Sequence, residues 1–240
     1  MTATFSDEAR RLFARATTAS LTAQLIKRGF RNRAIAHVTA VNPATPRLWG
    51  PAYTVRYIPA REDLATGAAM GDPANPQRHA IEATPPGHVI IVDTHGLDSS
   101  GTFGDILVAR LRVRGVAGIV SDGPMRDVAE LSRMDFPVFA RGNAAPPSYG
   151  SMMAVDAQVP IGCGGVAVFP GDILIGDADG VVVLPAAIAE EVARDAVEQD
   201  RLEAYIRQRV EGGDSIVGVY PPSEALKAAY RQWLADRGES

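Results

Sequence analysis

Two acidic residues and an arginine lie at the two ends of one apolar unit, GDILVARLRVRGVAGIVSDGPMRD (104–127). Asp105 stands near its start, and Arg126 and Asp127 close it after an interval of twenty residues. Two carboxylates can hold a hard divalent cation such as Mg²⁺ together with several waters. A guanidinium adds a fixed positive charge for a carboxylate or a developing enolate. These residue types therefore suit carbanion chemistry on a small keto acid.

Each acidic residue also has a structural interpretation. Asp105 can be the N-cap of a helix, and Asp127 can be an acid in the first turn of the next helix. The segment DVAE places Asp127 and Glu130 at the spacing of a capping box. Spacing alone leaves both interpretations open.

The elements around these residues favour a site. The run HVIIVDT (88–94) predicts a buried strand, 106–114 predicts a helix ended by Gly115, and VAGIVS (116–121) predicts a second strand. Strand, helix and strand form a βαβ unit with parallel strands, and ligands bind beyond the carboxyl ends of such strands. We therefore expect Asp105, Arg126 and Asp127 at one rim, beside a helix N-terminus that can bind an anion.

The same segment resembles a known family. Asp105 followed by twenty residues and Arg126-Asp127 is similar to the D-x20-R-D signature of the RraA-like family. Catalytic members of that family are class II pyruvate aldolases of the 4-hydroxy-4-methyl-2-oxoglutarate/4-carboxy-4-hydroxy-2-oxoadipate aldolase type. The segments WGPAYTV (49–55) and VFPGDILIGDADGVVVLP (168–185) resemble two further family segments, so the likeness spans most of 18–210.

The resemblance implies an α/β fold, a β/β/α swivelling-domain-like sandwich with N- and C-terminal helices. It implies one RraA-like domain over 1–240, in which 211–240 is a C-terminal extension. It also implies a homotrimer or homohexamer.

The resemblance further implies residue roles. Asp127 would be the ligand of a divalent metal cation, Mg²⁺ or Mn²⁺, and Asp105 would hold the metal's water and act as a catalytic residue. Arg126 would be both catalytic and substrate-binding. Glu203 would be catalytic through a neighbouring subunit, since it matches a glutamate that reaches the neighbour's metal waters. The substrate carboxylate would bind at the start of the 106–114 helix, at Gly104, Ile106 and Leu107.

The implied reaction is retro-aldol cleavage of a 4-hydroxy-2-oxo acid to pyruvate and a carbonyl compound, with oxaloacetate decarboxylase activity as a further expectation. Some relatives lack the upstream aspartate and inhibit a ribonuclease by binding it. Because Asp105 is present here, the sequence favours catalysis. A protein-binding regulator of ribonuclease activity, and a sugar-acid lyase or hydrolase, remain the alternatives.

Other reactive residue types have simpler interpretations. Cys163 lies among glycines with no adjacent histidine, which favours a buried, inert thiol. The acidic segment GDILIGDADG (171–180) is typical of turns. Arg56, Arg61 and Glu62 either line the part of the pocket beyond pyruvate or form a solvated face. The only two lysines are Lys27 and Lys227.

Composition bounds the remaining function classes. The net charge of −4 and the lack of long basic tracts give no electrostatic reason to expect nucleic acid as a partner. No run of eighteen apolar residues is present, and the first eighteen residues lack the apolar core of a signal peptide. With one cysteine, these features predict a cytoplasmic protein that binds no membrane.

Overall fold

A sheet of eight strands runs through the computed structural model, which describes residues 5–44 and 47–238. Its spatial order is β1-β5-β4-β3-β2-β7-β8, and β6 pairs with a second part of β2. The strands are β1 (Thr39–Ala40), β2 (Leu48–Pro59), β3 (Val89–Asp93), β4 (Gly118–Met125), β5 (Val138–Asn143), β6 (Met152–Ala157), β7 (Ile173–Asp177) and β8 (Gly180–Leu184).

Helices cover the sheet on two sides. They are α1 (Asp7–Arg15), α2 (Thr18–Lys27), α3 (Gly67–Gly71), α4 (Pro76–Ala83), α5 (Asp105–Val113), α6 (Val128–Leu131), α7 (Ala189–Glu211) and α8 (Glu224–Ala235). Short 3-10 turns occupy Ser148–Gly150, Cys163–Gly165 and Ala186–Ile188.

Three apolar clusters define the layers. The first packs α4 and α5 against one face of β2, β3 and β4 and includes Leu111 and Ile90. The second lies between the opposite face of those strands and the β7–β8 hairpin and includes Ile91 and Val183. The third covers the outer face of that hairpin with α1, α2 and α7. Helices, sheet, hairpin and helices thus form an α/β sandwich, which confirms the expected fold class.

The strand β2 joins the two parts of the sheet. Its first four residues pair with β7, its middle pairs in parallel with β3, and its last residues pair with β6. β2 can pair with three strands because it is long and different parts of it use its two edges.

The βαβ unit predicted around the acidic residues is confirmed. β3 and β4 are parallel neighbours, with Ile90 opposite Ile119, and α5 connects them. β4 extends to Met125, beyond the predicted end at residue 121. The polar part of this strand can be buried because the Asp122 carboxylate has hydrogen-bond donors. It accepts from the Thr94 amide at 2.7 Å and from the Gly164 amide at 3.0 Å.

The first two helices are tied to the far end of the chain. Ser6 caps α1 by accepting from the Ala9 amide at 3.0 Å. The Thr17 amide donates to Asp200 of α7 at 3.1 Å, and the Thr18 amide donates to Asp177 of β7 at 2.8 Å. Two partly buried carboxylates therefore hold the corner between α1 and α2.

The C-terminal helices form a separate small cluster. Leu226 and Tyr230 of α8 pack on Tyr205 and Ile206 near the end of α7. The expected extension over 211–240 is described as far as residue 238, and the expectation about the first eighteen residues falls partly on 1–4, outside the described residues. No helix in the described ranges is long and apolar enough to cross a lipid bilayer.

Candidate active site

A cavity of about 280 Å³ opens at the N-terminus of α5. It lies at the rim where the loops after β3 and β4 meet, as the βαβ unit predicts. Six residues singled out in the sequence line it together: Gly104, Asp105, Ile106, Leu107, Arg126 and Asp127.

Two glycines let the two loops approach each other. The Arg126 amide donates to the Phe103 carbonyl at 2.9 Å, which holds the strand end against the start of α5. A Cβ at Gly101 would collide with the Arg126 side chain, and a Cβ at Gly104 would collide with Oδ2 of Asp127. The Asp127 carboxylate therefore lies directly against the start of α5.

Asp127 does not act as a helix cap. It occupies the N-cap position of α6, but its backbone is left-handed (φ 55°, ψ 38°) and its side chain makes no capping bond. A capping side chain needs an extended backbone, so the capping box predicted with Glu130 does not form. The exposed carboxylate remains available to a ligand.

Asp105 is the first residue of α5, and the N-cap is Gly104, so the predicted Asp105 cap is wrong. Its Oδ1 accepts from the Ile106 amide at 2.7 Å, which leaves Oδ2 free of any such bond within 5–44 and 47–238. The Ile106 amide is thereby occupied. Of the two amides expected to bind the substrate carboxylate, the Leu107 amide is the one left open among the described residues.

Arg126 presents an unsatisfied guanidinium to the cavity. Its Nε is buried and has no hydrogen-bond partner in the described part of the chain. No acid of the described ranges forms a salt bridge with it either. Because leaving a buried donor unpaired is costly, the position is one that an anionic ligand satisfies.

The donor set fits a hydrated divalent cation. No three His, Cys, Asp or Glu side chains within the described ranges are grouped closely enough to hold a metal ion by themselves. Two carboxylates at one cavity, without a third protein ligand, match a cation such as Mg²⁺ that keeps several waters. The cavity wall at Gly104 has no side chain, so space remains beside Asp127.

The sequence did not reveal the wall of the cavity that α4 forms. Gln77 and Arg78 of α4 line it, and Tyr149 also lines the cavity. Hydrophobic periodicity could not find them, because the Pro- and Gly-rich region 66–86 gives no clear helical pattern.

The three residues considered for that wall lie elsewhere. None of Arg56, Arg61 and Glu62 lines the cavity, and all three are exposed, which supports the solvated interpretation. Arg61 pairs with Asp63, its near neighbour in the chain, at 2.8 Å.

Glu203 lies apart from the other predicted site residues. It lines a second cavity, of about 430 Å³, between α2, α7 and the segment before α8. Its Oε1 accepts from Nε2 of Gln199 at 2.9 Å. Within one chain, Glu203 therefore does not reach the cavity of Arg126.

The remaining acids and the thiol have structural roles. Asp177 accepts from the amide of Asp179 as well as from Thr18, which is the turn and corner chemistry expected of this segment. Asp172 accepts from the Phe169 amide, and burial raises the pKa of its carboxyl group. Burial also raises the pKa of the Cys163 thiol well above its ordinary value, as expected for an inert cysteine.

Comparison with known proteins gives a consistent result. A family model described as "RraA-like: Aldolase/RraA" matches residues 2–183. A protein of Halalkalibacterium halodurans named "Putative 4-hydroxy-4-methyl-2-oxoglutarate aldolase" is 37% identical over 147 residues, 61% of this chain. The match spans 64% of the length of that relative, less than two thirds.

Two solved structures share the fold. RraAS2 of Streptomyces coelicolor, described as an unusual member of the RNase ES inhibitor RraA protein family, has a TM-score of 0.74 and 30% identity. The match covers 86% of this chain and 99% of that one. An uncharacterized protein of Pseudomonas syringae pv. tomato has a TM-score of 0.78 and 25% identity, with 91% and 99% coverage.

Proposed function

We propose that this chain, which belongs to the RraA-like family, is a divalent-metal-dependent lyase that cleaves a 4-hydroxy-2-oxo acid into pyruvate and a carbonyl compound. One observation carries the proposal: Asp105, Arg126 and Asp127 line one cavity, and none of the three has an ion-pair partner within the described ranges. The aldolase name of the Halalkalibacterium relative supports it.

The residues of the cavity fall into a group that binds the substrate carboxylate and a group that binds the cation. Arg126 and the Leu107 amide would bind the carboxylate of the pyruvate half. Asp127 would hold Mg²⁺ or Mn²⁺, and Asp105 would hold a water of that cation. When bound, the cation supplies Lewis-acid polarisation of the 2-oxo group. Gly104 allows this crowding because it has no side chain.

Proton transfer falls to Asp105. Its Oδ1 is held by the Ile106 amide, so Oδ2 is positioned to accept a hydrogen bond from a water or from the 4-hydroxyl group. In the cleavage reaction, loss of the proton of the 4-hydroxyl group lets the C3–C4 bond break. The electrons of that bond pass to the pyruvate half as an enolate, which Arg126 stabilises until C3 is protonated. Oxaloacetate decarboxylation produces the same enolate with CO₂ as the leaving group, so we expect that activity too.

The test is pyruvate release from 4-hydroxy-2-oxo acids and from oxaloacetate, measured with Mg²⁺, with Mn²⁺ and with a chelator. We expect turnover that depends on the added cation. No pyruvate release under any of these conditions would contradict the proposal.

A second experiment separates this chemistry from that of an imine-forming aldolase, which needs a lysine in the substrate pocket. Lys27 lines the other cavity, and Lys227 of α8 pairs with Glu224 at 2.6 Å. Treatment with borohydride in the presence of pyruvate should therefore leave activity intact. Covalent reduction onto either lysine, with loss of activity, would refute the metal-dependent mechanism.

The assembly proposal is a homotrimer or homohexamer in which Glu203 serves a neighbouring subunit. It is supported by the position of Glu203 in a cavity away from Arg126 of its own chain. Light scattering at micromolar concentration should detect an oligomer, and Glu203→Gln should lower activity without dissociating it. A fully active monomer would remove Glu203 from the catalytic residues.

A non-catalytic regulator of a ribonuclease is the second candidate, because the Streptomyces coelicolor structure is described as a member of an RNase inhibitor family. That candidate predicts no pyruvate release and no loss of function on replacing Asp127. A sugar-acid lyase or hydrolase would instead act on sugar acids in the same screen. A cytoplasmic location and a small 2-oxo acid as the bound partner complete the proposal.

A further inference from the structure

The wall of the cavity formed by α4 carries a second arginine that the reaction at the pyruvate half does not use. Arg78 of α4 lines the same cavity and is partly buried. Its Nε donates to the Met70 carbonyl at 2.7 Å, which fixes the plane of the guanidinium and leaves the two terminal nitrogens free within the described ranges. A planar, oriented guanidinium is suited to bidentate binding of a carboxylate.

The acid best placed to neutralise Arg78 is already engaged. Glu82 follows Arg78 by one helical turn, at the i+4 spacing that favours an ion pair. Instead, Glu82 accepts two hydrogen bonds from Arg110 of α5, at 2.9 and 2.8 Å, and one from Arg114 at 3.3 Å. Two arginines thus bind the Glu82 carboxylate, so Glu82 does not neutralise the charge that Arg78 presents to the cavity.

A buried amide lies beside Arg78 and makes this wall of the cavity polar. Gln77 is fully buried and lines the cavity. Its Nε2 donates to the Thr102 carbonyl at 2.7 Å, and its side chain lies within hydrogen-bonding reach of the buried Tyr57 hydroxyl. Buried polar side chains keep polar partners, so this wall suits a polar group better than an apolar one.

The charges of the cavity add up to a preference for a dianion. Arg78 and Arg126 contribute two positive charges, and Asp105 and Asp127 contribute two negative ones. A divalent cation held by Asp127, with Asp105 on one of its waters, would leave the cavity with a net charge of about +2. The carboxylate beside the 2-oxo group, bound to Arg126, neutralises one of these two positive charges.

We propose that Arg78 is a specificity-determining residue that binds an anionic group on the half of the substrate that leaves as the carbonyl product. This inference rests on the proposed function. Such a group is the second carboxylate of 4-hydroxy-4-methyl-2-oxoglutarate, the compound in the name of the Halalkalibacterium relative. Arg78 touches the departing half only, so the chemistry at the pyruvate half does not need it.

The experiment compares two substrates that differ by one carboxylate, 4-hydroxy-4-methyl-2-oxoglutarate and 4-hydroxy-4-methyl-2-oxopentanoate. The variants are Arg78→Met and Arg78→Lys, with Arg112→Met, an exposed arginine of α5 away from the cavity, as the matched control. A third measurement, exchange of the pyruvate methyl protons with D₂O followed by NMR, reports on the pyruvate half alone.

We expect Arg78→Met to lower kcat/KM for the diacid by at least about thirtyfold, the loss typical of a charge-assisted hydrogen bond. The monoacid rate, the pyruvate exchange rate and the melting temperature should stay within about twofold or a few degrees of the parent. Arg78→Lys should restore part of the diacid preference, because it keeps the charge but not the planar fork.

Two results would overturn the inference in different ways. If the parent protein exchanges pyruvate protons but Arg78→Met leaves the ratio of diacid to monoacid kcat/KM unchanged, the assignment of Arg78 is wrong and the proposed function stands. If the parent protein shows neither exchange nor cleavage with Mg²⁺ or Mn²⁺, both fall together.

Discussion

Two pairs of aspartates lie at the same rim of the sheet and differ in how their carboxylates are satisfied. Asp93 and Asp122 end or extend β3 and β4, and each is 2% exposed. Asp93 accepts from the amides of His95 and Gly162, at 2.9 and 3.0 Å. Asp122 accepts from the Thr94 amide and hydroxyl and from the Gly164 amide. All four of these carboxylate oxygens have donors, so this pair holds loops in place.

Asp105 and Asp127 lie a few residues further along the same loops and are far less satisfied. Asp105 accepts one backbone hydrogen bond, and within the described ranges no donor bonds the carboxylate of Asp127. The backbone of Asp127 is also left-handed, a conformation that costs free energy unless something requires it. The number of donors around a carboxylate, more than its residue type or its position, separates structural from functional acids at this rim.

The largest expected effect is on Asp127. Asp127→Ala removes the proposed metal ligand, so we expect kcat to fall by at least about a thousandfold and calorimetric metal binding to weaken strongly. The free energy of unfolding should fall by only about 1 kcal/mol, the cost of alanine in the left-handed backbone, because the carboxylate makes no bond in the fold. Metal affinity equal to that of the parent protein would remove Asp127 from the site.

Asp105 should show a separable loss. If its Oδ2 guides the proton of the reaction, Asp105→Ala should lower kcat about a hundredfold while calorimetry still detects metal binding close to that of the parent. Asp105→Asn serves as the comparison, since it keeps the shape and the bond to the Ile106 amide but cannot take a proton. Equal activity in Asp105→Asn and the parent would exclude proton transfer by this residue.

Asp122 should show the opposite pattern, with the smallest effect on the reaction. Asp122→Ala leaves the Thr94 and Gly164 amides without acceptors and should lower the free energy of unfolding by about 2–4 kcal/mol. At temperatures where the variant is folded, its metal affinity should match the parent's. Asp98→Ala, an exposed aspartate in the loop after β3, is the control and should change stability by less than about 0.5 kcal/mol. A stable Asp122→Ala protein that has lost metal binding would reverse the assignment.

The sequence predicts local features of this rim well. The β3–α5–β4 unit follows from two apolar runs and one glycine, and it brings Asp105 and Asp127 to one cavity without any tertiary information. The left-handed backbone of Asp127 and the free N-cap at Gly104 do not follow from it. Asp127 and Glu130 have the spacing of a capping box. The contact between Asp127 and Gly104, which joins the two loops, shows why the cap is not made.

Non-local features are the ones that sequence reasoning could not supply. Arg78 faces the cavity because α4 packs beside α5, and its free charge depends on Glu82 pairing with Arg110 across those helices. The order of the sheet, in which β2 lies next to β7, likewise joins segments more than a hundred residues apart. Pairing of this kind is decided by packing of whole layers and not by the pattern within any one segment.

The attachment of α1 and α2 to Asp177 and Asp200 has a consequence for biosynthesis. Phe13 and Leu21 are fully buried only when β7, β8 and α7 cover them, so α1 and α2 leave the ribosome well before the segments that bury them. At about 5–20 residues per second, roughly ten seconds or more separate the synthesis of α2 from that of Asp200. During that interval the apolar faces of both helices are open to chaperones or to other nascent chains, so destabilising this corner should lower the yield of folded protein more than its melting temperature indicates.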